Sequence, residues 1–229
     1  MSQNLLKRIV TSIILLSIFF LVNFGQQYVF ILSILILGII IYTEANKMIL
    51  KLVERHSLKK KGFFNNFSFK FLILNFLIFF YIFFIFCYFS FEIHRVEGPT
   101  FFFYIVSICF FSDIGGYVIG KLVGGKKLSK ISPNKTISGT MGSFIFSLVP
   151  SYLFLSFGNI NLELNLNYIL FSLLVSFINQ FGDLFISFFK RKAKIKDTGT
   201  ILPGHGGILD RVDGIIFALP FSYLILKLI

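Results

Sequence analysis

Apolar residues fall into seven long runs, about 5–24, 27–43, 71–91, 101–120, 140–157, 168–189 and 214–229, separated by short polar stretches. A helix that crosses a bilayer needs roughly 20 mostly apolar residues, because no water is present to pair an exposed peptide group. The pattern predicts an all-α polytopic membrane protein with about seven transmembrane helices, forming a single integral membrane domain over residues 1–229. The second and last runs are short. The first follows Lys7 and Arg8 in the manner of a signal peptide, but no small-x-small cleavage site comes after it, so it reads as a retained anchor. Residues 44–70, with Lys59, Lys60, Lys61 and Gly62, are expected to form an interfacial loop, and His56 and His94 to be solvated loop side chains.

Composition excludes a soluble globular domain: 56% of residues are hydrophobic, 14% are charged, and the mean hydropathy is +0.85. The abundance of phenylalanine is compositional and carries no function by itself. Cys87 and Cys109 lie inside apolar runs without metal-ligand spacing and read as buried, free and structural. The net charge of +12 is unevenly spread. If all seven runs cross, every Lys and Arg except Arg95 and Lys227 lies on one side, which the positive-inside rule makes cytoplasmic. With no soluble domain to present these cations, nucleic acid is not an expected partner; anionic headgroups are.

The candidate chemistry lies in the second half. Asp113 sits deep in the fourth run, where a carboxylate costs about 2.5 to 3.5 kcal/mol unless paired. Gly116, Tyr117 and Gly120 share its helical face, and so small a surface would admit another backbone, including that of a second copy in a homodimer. A loop with Gly124, Gly125 and Lys135 leads to Ser138, Gly139 and Thr140 at the start of the fifth run, a helix amino terminus that could meet an anion, though without Walker A spacing. In the sixth run Asn179, Asp183, Ser187 and then Lys190 or Arg191 draw one polar stripe. Asp183 with Asp210 and Asp213 offers hard oxygen ligands suited to Mg²⁺, and Arg211 could hold a phosphate or a carboxylate. Gly204, Gly206 and Gly207 would let backbone amides approach an anion. His205 reads as a phosphate hydrogen-bond donor, a proton shuttle or a structural link; Lys192, Lys194 and Lys196 read equally as cytoplasmic charge or site residues.

The stretch 187–213 runs S-x-x-K-R, four residues, K-D-x-G, then L-P-x-H-G-G, two residues, D-R-x-D. It closely resembles the signature of the phosphatidate cytidylyltransferases, also called CDP-diacylglycerol synthases. Asp113-x-Gly-Gly-Tyr117 and Ser132-Pro133-x-Lys135-Thr136 resemble that family as well, so the likeness covers a catalytic region of about 112–213. Ser138 departs from it, standing where the family pattern has an acid. The resemblance implies an enzyme of phospholipid biosynthesis in the bacterial inner membrane, its active site at the cytoplasmic interface. It would transfer CMP from CTP to phosphatidic acid, giving CDP-diacylglycerol and pyrophosphate. The implied catalytic residues are Lys190, Arg191, His205, Asp210, Arg211 and Asp213; the substrate-binding residues are Asp113, Lys135, Ser187, Lys196, Gly206 and Gly207; and Mg²⁺ is held by Asp183, Asp210 and Asp213. Two alternatives are a CTP-dependent lipid kinase, which would move the γ-phosphoryl group, and an ion-coupled transporter using Asp113 and Asp183.

Overall fold

The computed structural model describes residues 3–58, 63–129, 132–156, 166–202 and 206–228. These are helical apart from turns and two isolated bridges, Lys127 with Thr136 and Leu202 with Gly206. In chain order the helices are α1 (Gln3–Asn23), α2 (Gln27–Leu58), α3 (Phe63–Phe80), a π-helical turn (Tyr81–Cys87), α4 (Tyr88–Val96), α5 (Pro99–Val123), α6 (Ile137–Ser156), α7 (Leu166–Lys192), α8 (Leu209–Val212) and α9 (Ile215–Leu226). Five stretches are long and apolar enough to cross a membrane: Gln27–Glu54, Phe69–Val96, Pro99–Val123, Ile137–Phe154 and Asn167–Lys192. The seven expected runs therefore reduce to five among the described residues. In α1 the qualifying apolar part is the shorter Val10–Asn23. With its 12 residues, α9 rises only about 18 Å against a hydrocarbon core of about 30 Å.

The chain divides into two compact units, Met1–Phe91 with Phe189–Val212, and Glu92–Phe188 with Asp213–Ile229. In the first, α2 lays one stripe, Phe30, Ile34, Ile41, Ala45 and Met48, into the interior at helical spacing. Gly38 continues that stripe where α2 meets the π-helical turn: a Cβ there would lie 2.7 Å from Cys87 Sγ. The expected 44–70 loop is instead helix on both sides, since α2 continues to Leu58 and α3 begins at Phe63; Lys59 to Gly62 lie outside the described residues. The periodicity explains this. Ala45, Met48, Ile49 and Val53 stay buried while Lys47, Lys51 and Glu54 face outward, so α2 becomes amphipathic where its hydropathy falls. His56 accordingly lies in α2.

In the second unit α5 and α6 meet through glycines. A Cβ on Gly115 would come within 2.5 Å of Gly142 O, and one on Gly139 within 2.7 Å of Gly116 O. The small-residue face beside Asp113 therefore does admit a backbone, but that of α6 in the same chain, which removes the reason for expecting it in a homodimer. Buried hydroxyls stitch the helices together: Tyr104 Oη lies 2.9 Å from Ser151 Oγ and 3.0 Å from Ser172 Oγ, and Ser112 Oγ lies 2.8 Å from Ser176 Oγ. Each removes a pair of polar groups from hydrocarbon. His94, expected in a loop, lies in α4 and is buried, its ring edge-on to Phe102 at 6.0 Å between centroids.

Candidate functional site

Within the second unit, the polar stripe of α7 meets α5 and the loop before α6. Asn179 Nδ2 donates to Asp113 Oδ1 at 3.0 Å, one helical turn from Asp183. Ser187 Oγ donates to Asp183 Oδ1 at 3.2 Å, and Lys135 forms an ion pair with Asp183 Oδ2. The spacing read from the sequence thus gives one face carrying Asn179, Asp183 and Ser187, and Asp113 and Lys135 join it.

The loop that delivers Lys135 is a built one. Leu128 N donates to Lys135 O at 2.8 Å and Ile137 N to Lys126 O at 3.0 Å, a short antiparallel pairing. Thr136 then caps α6, its Oγ1 accepting Gly139 N–H at 3.1 Å. Ser138 Oγ donates to Gly124 O, so this hydroxyl ties the loop down where an acid was expected. The amides of Ile137, Gly139 and Thr140 are all engaged within the chain. What this corner offers an anion is the Lys135 ammonium. On the other flank, Gly214 starts α9 against α7: a Cβ there would lie 2.2 Å from Asn179 Oδ1. Asp213 Oδ1 accepts Gly214 N–H at 3.0 Å.

The signature loop forms a second cluster, in the first unit. Helix α7 ends in a Schellman turn, with Ile195 N–H on Lys190 O, Lys194 N–H on Arg191 O, and Lys194 left-handed at φ 55°. Just before that turn, Lys190 Nζ reaches Asp210 Oδ1 at 2.9 Å, with both side chains nearly buried at 11% and 7% exposure. Asp210 Oδ2 accepts the N–H groups of Thr198 at 2.8 Å and Gly207 at 3.0 Å. Burial by itself would push the Asp210 carboxyl up; the Lys190 hydrogen bond, the two amides and the Lys190 charge outweigh it and hold the group below the usual carboxylate range. Gly206 takes φ 88° and closes the loop by exchanging hydrogen bonds with Leu202. The amides of Gly206 and Gly207 are therefore both used inside the loop. Arg191, Lys196 and Arg211 are exposed, and His205 lies outside the described residues.

One organising residue was not singled out from the sequence. Glu44 on α2 is 1% exposed and takes Leu209 N–H at 2.8 Å and Thr198 Oγ1–H at 3.2 Å on Oε2, and Ile208 N–H at 3.2 Å on Oε1. Its only signal was a lone acid on the buried period of Ile41, Ala45 and Met48; its partners are 154 to 165 positions away.

Among the described residues no three His, Cys, Asp or Glu side chains assemble into a metal cage. Mg²⁺ does not need one, taking one or two carboxylates plus water and phosphate oxygens. The second unit's donor set fits that demand: Asp183, Asp113 and Ser187 are all hard oxygens, and the buried Asn179 Oδ1 accepts no hydrogen bond.

Residues 49–229 match the model of the cytidylyltransferase family. The chain belongs to that family. Its cytidylyltransferase relatives include the phosphatidate cytidylyltransferase of Staphylococcus haemolyticus (strain JCSC1435), 43% identical over 133 residues, covering 58% of this chain and 51% of that protein. The protein of the same name from Bacillus subtilis (strain 168) is 41% identical over 143 residues, 60% of this chain and 52% of that one. The one from Staphylococcus aureus (strain COL) is 43% identical over 135 residues, with 58% and 51% covered. The chain spans about half the length of these curated relatives. The family match takes in both the Lys135–Asp183 corner and the 187–213 loop, but begins after Glu44.

Proposed function

We propose that this membrane protein transfers CMP from CTP to phosphatidic acid, releasing pyrophosphate and forming CDP-diacylglycerol for phospholipid synthesis. The observation that carries the reading is the pairing of acids with lysines in a cytidylyltransferase-family chain: Asp210 is ion-paired with Lys190 and held below the usual carboxylate range, and Asp183 is ion-paired with Lys135.

In the reaction a phosphate oxygen of the lipid attacks the α-phosphorus of CTP. The new P–O bond forms as the bond from the α-phosphorus to its bridging oxygen breaks, and the electron pair leaves with pyrophosphate. No strong base is needed, since a phosphate monoester has a second pKa of about 6 and is already dianionic near neutral pH. The work is positioning and charge compensation. In the second unit Lys135 carries the positive charge paired with Asp183; in the first, exposed Arg191 and Arg211 are the signature cations that by the family resemblance would meet the departing pyrophosphate. Ser187, Lys196 and His205 are further polar residues of the same signature, with Ser187 and Lys196 as substrate-binding groups and His205 as a catalytic one by the family resemblance. By the family resemblance Asp183, Asp210 and Asp213 are the carboxylates that would hold Mg²⁺, whose charge would offset the repulsion between the phosphates.

Orientation follows from charge: the ends of α2, α5 and α7 that carry the lysine-rich segments face the cytoplasm of a bacterial cell, and Lys7 and Arg8 would lie on that side if α1 also crosses. The test is purified protein in mixed micelles with phosphatidic acid, Mg²⁺ and γ-labelled CTP, beside Asp183→Asn and Lys135→Met. Labelled pyrophosphate from the wild type and a loss of at least 100-fold in both variants is expected. Label on the lipid would mean a CTP-dependent kinase, and neither product would point to transport.

A further inference from the structure

Glu44 and Asp210 both grip the same short stretches of backbone. Asp210 holds the amides of Thr198 and Gly207, while Glu44 holds the Thr198 hydroxyl and the amides of Ile208 and Leu209. The glycines around them are explained by this approach. A Cβ on Gly199 would lie 2.3 Å from Glu44 Oε1, and one on Gly207 would lie 2.5 Å from Glu44 Oε2 and 2.5 Å from Thr198 Oγ1. Neither position has a positive φ. Their lack of a side chain is therefore a matter of space for the Glu44 carboxylate and not of backbone conformation.

We infer that Glu44 is a positioning residue for the signature loop: its buried carboxylate sets the backbone at 198–199 and 207–209, and through it the placement of Asp210 and Arg211. The inference rests on the proposed transferase reading for its catalytic consequence, but not for the contact itself. A carboxylate suits the role because every group that faces it is a donor. A glutamine must turn its NH₂ toward at least one backbone N–H, whichever way it is flipped, leaving a buried donor unpaired. The loop would shift, and a displacement of about 1 Å in a reacting constellation costs on the order of 100-fold in rate.

The experiment compares wild type, Glu44→Gln, Gly207→Ala and the exposed control Glu54→Gln by amide hydrogen exchange, melting temperature and CTP-dependent formation of CDP-diacylglycerol. Glu44→Gln is expected to lose protection at 198–199 and 206–210 alone, to keep a melting temperature within a few degrees of wild type, and to lose roughly tenfold or more in kcat with little change in the KM for CTP. Gly207→Ala should show the same pattern, and Glu54→Gln none of it. Unchanged protection at 206–210 in Glu44→Gln would overturn the inference. So would a loosened loop with kcat intact, or an activity loss that only tracks the folded fraction. If wild type makes no CDP-diacylglycerol, the transferase reading falls, while the exchange data still decide whether Glu44 holds the loop.

Discussion

At the level of single residues, Asp210 shows how the loop is held and what pH does to it. Its carboxyl titrates lower in the folded protein than in the unfolded chain, where an aspartate has a pKa of about 3.9. The stabilisation it supplies is therefore fully present above about pH 4 and is lost as pH falls through the lower folded value. Asp210→Asn leaves Lys190 without its carboxylate in a nearly buried position, at a cost of about 3 kcal/mol. The variant should melt lower than wild type at pH 7, and the gap should narrow as pH falls toward 3; a gap independent of pH would contradict the ion pair. Asp113, Lys135, Asp183 and Asp210 could be picked out of the sequence, because charge in or beside an apolar run is costly and so conspicuous. Glu44 could not be weighed in the same way. Its burial depends on donors from Thr198, Ile208 and Leu209, and nothing local announces them.

At the level of elements, the apolar runs gave the helices but not their ends. A hydropathy window stops α2 near residue 43, whereas the 3.6-residue period of Ile41, Ala45, Met48 and Ile49 carries it to Leu58. The short α9 has the opposite problem: it is apolar throughout, yet helical over only 12 residues, with Gly214 packed against Asn179 at its start. The α5–α6 contact was only half visible. Glycines beside Asp113 predicted a close approach, but the sequence did not say that the partner is Gly139 and Gly142 of the same chain. Gly142→Ala places a Cβ 2.5 Å from Ile119 Cβ and 2.6 Å from Gly115 O, so the helices must separate. The loss should be about 1–3 kcal/mol, read as a lower melting temperature in detergent. An unchanged melting temperature would mean that α5 and α6 are not in close contact.

For the whole molecule, charge asymmetry and lipid chemistry have to agree. The lysine-rich segments lie at or follow the ends of α2, α5 and α7, with Lys135 and Lys190 among them, and the positive-inside rule would place them in the cytoplasm. Exposed Lys127 and Glu97 lie beyond opposite ends of α5, and the native Cys87 and Cys109 are buried. In intact cells a membrane-impermeant maleimide should label Glu97→Cys and spare Lys127→Cys, and the pattern should reverse in inverted vesicles. The most direct test of the account follows the two ends of CTP separately. Purified protein with phosphatidic acid and Mg²⁺ is given α-labelled CTP in one reaction and γ-labelled CTP in another. CMP transfer predicts α-label in the lipid, running as CDP-diacylglycerol, with γ-label in pyrophosphate in equal amount. Label in the lipid from the γ position, or CTP left intact by folded protein, would contradict it.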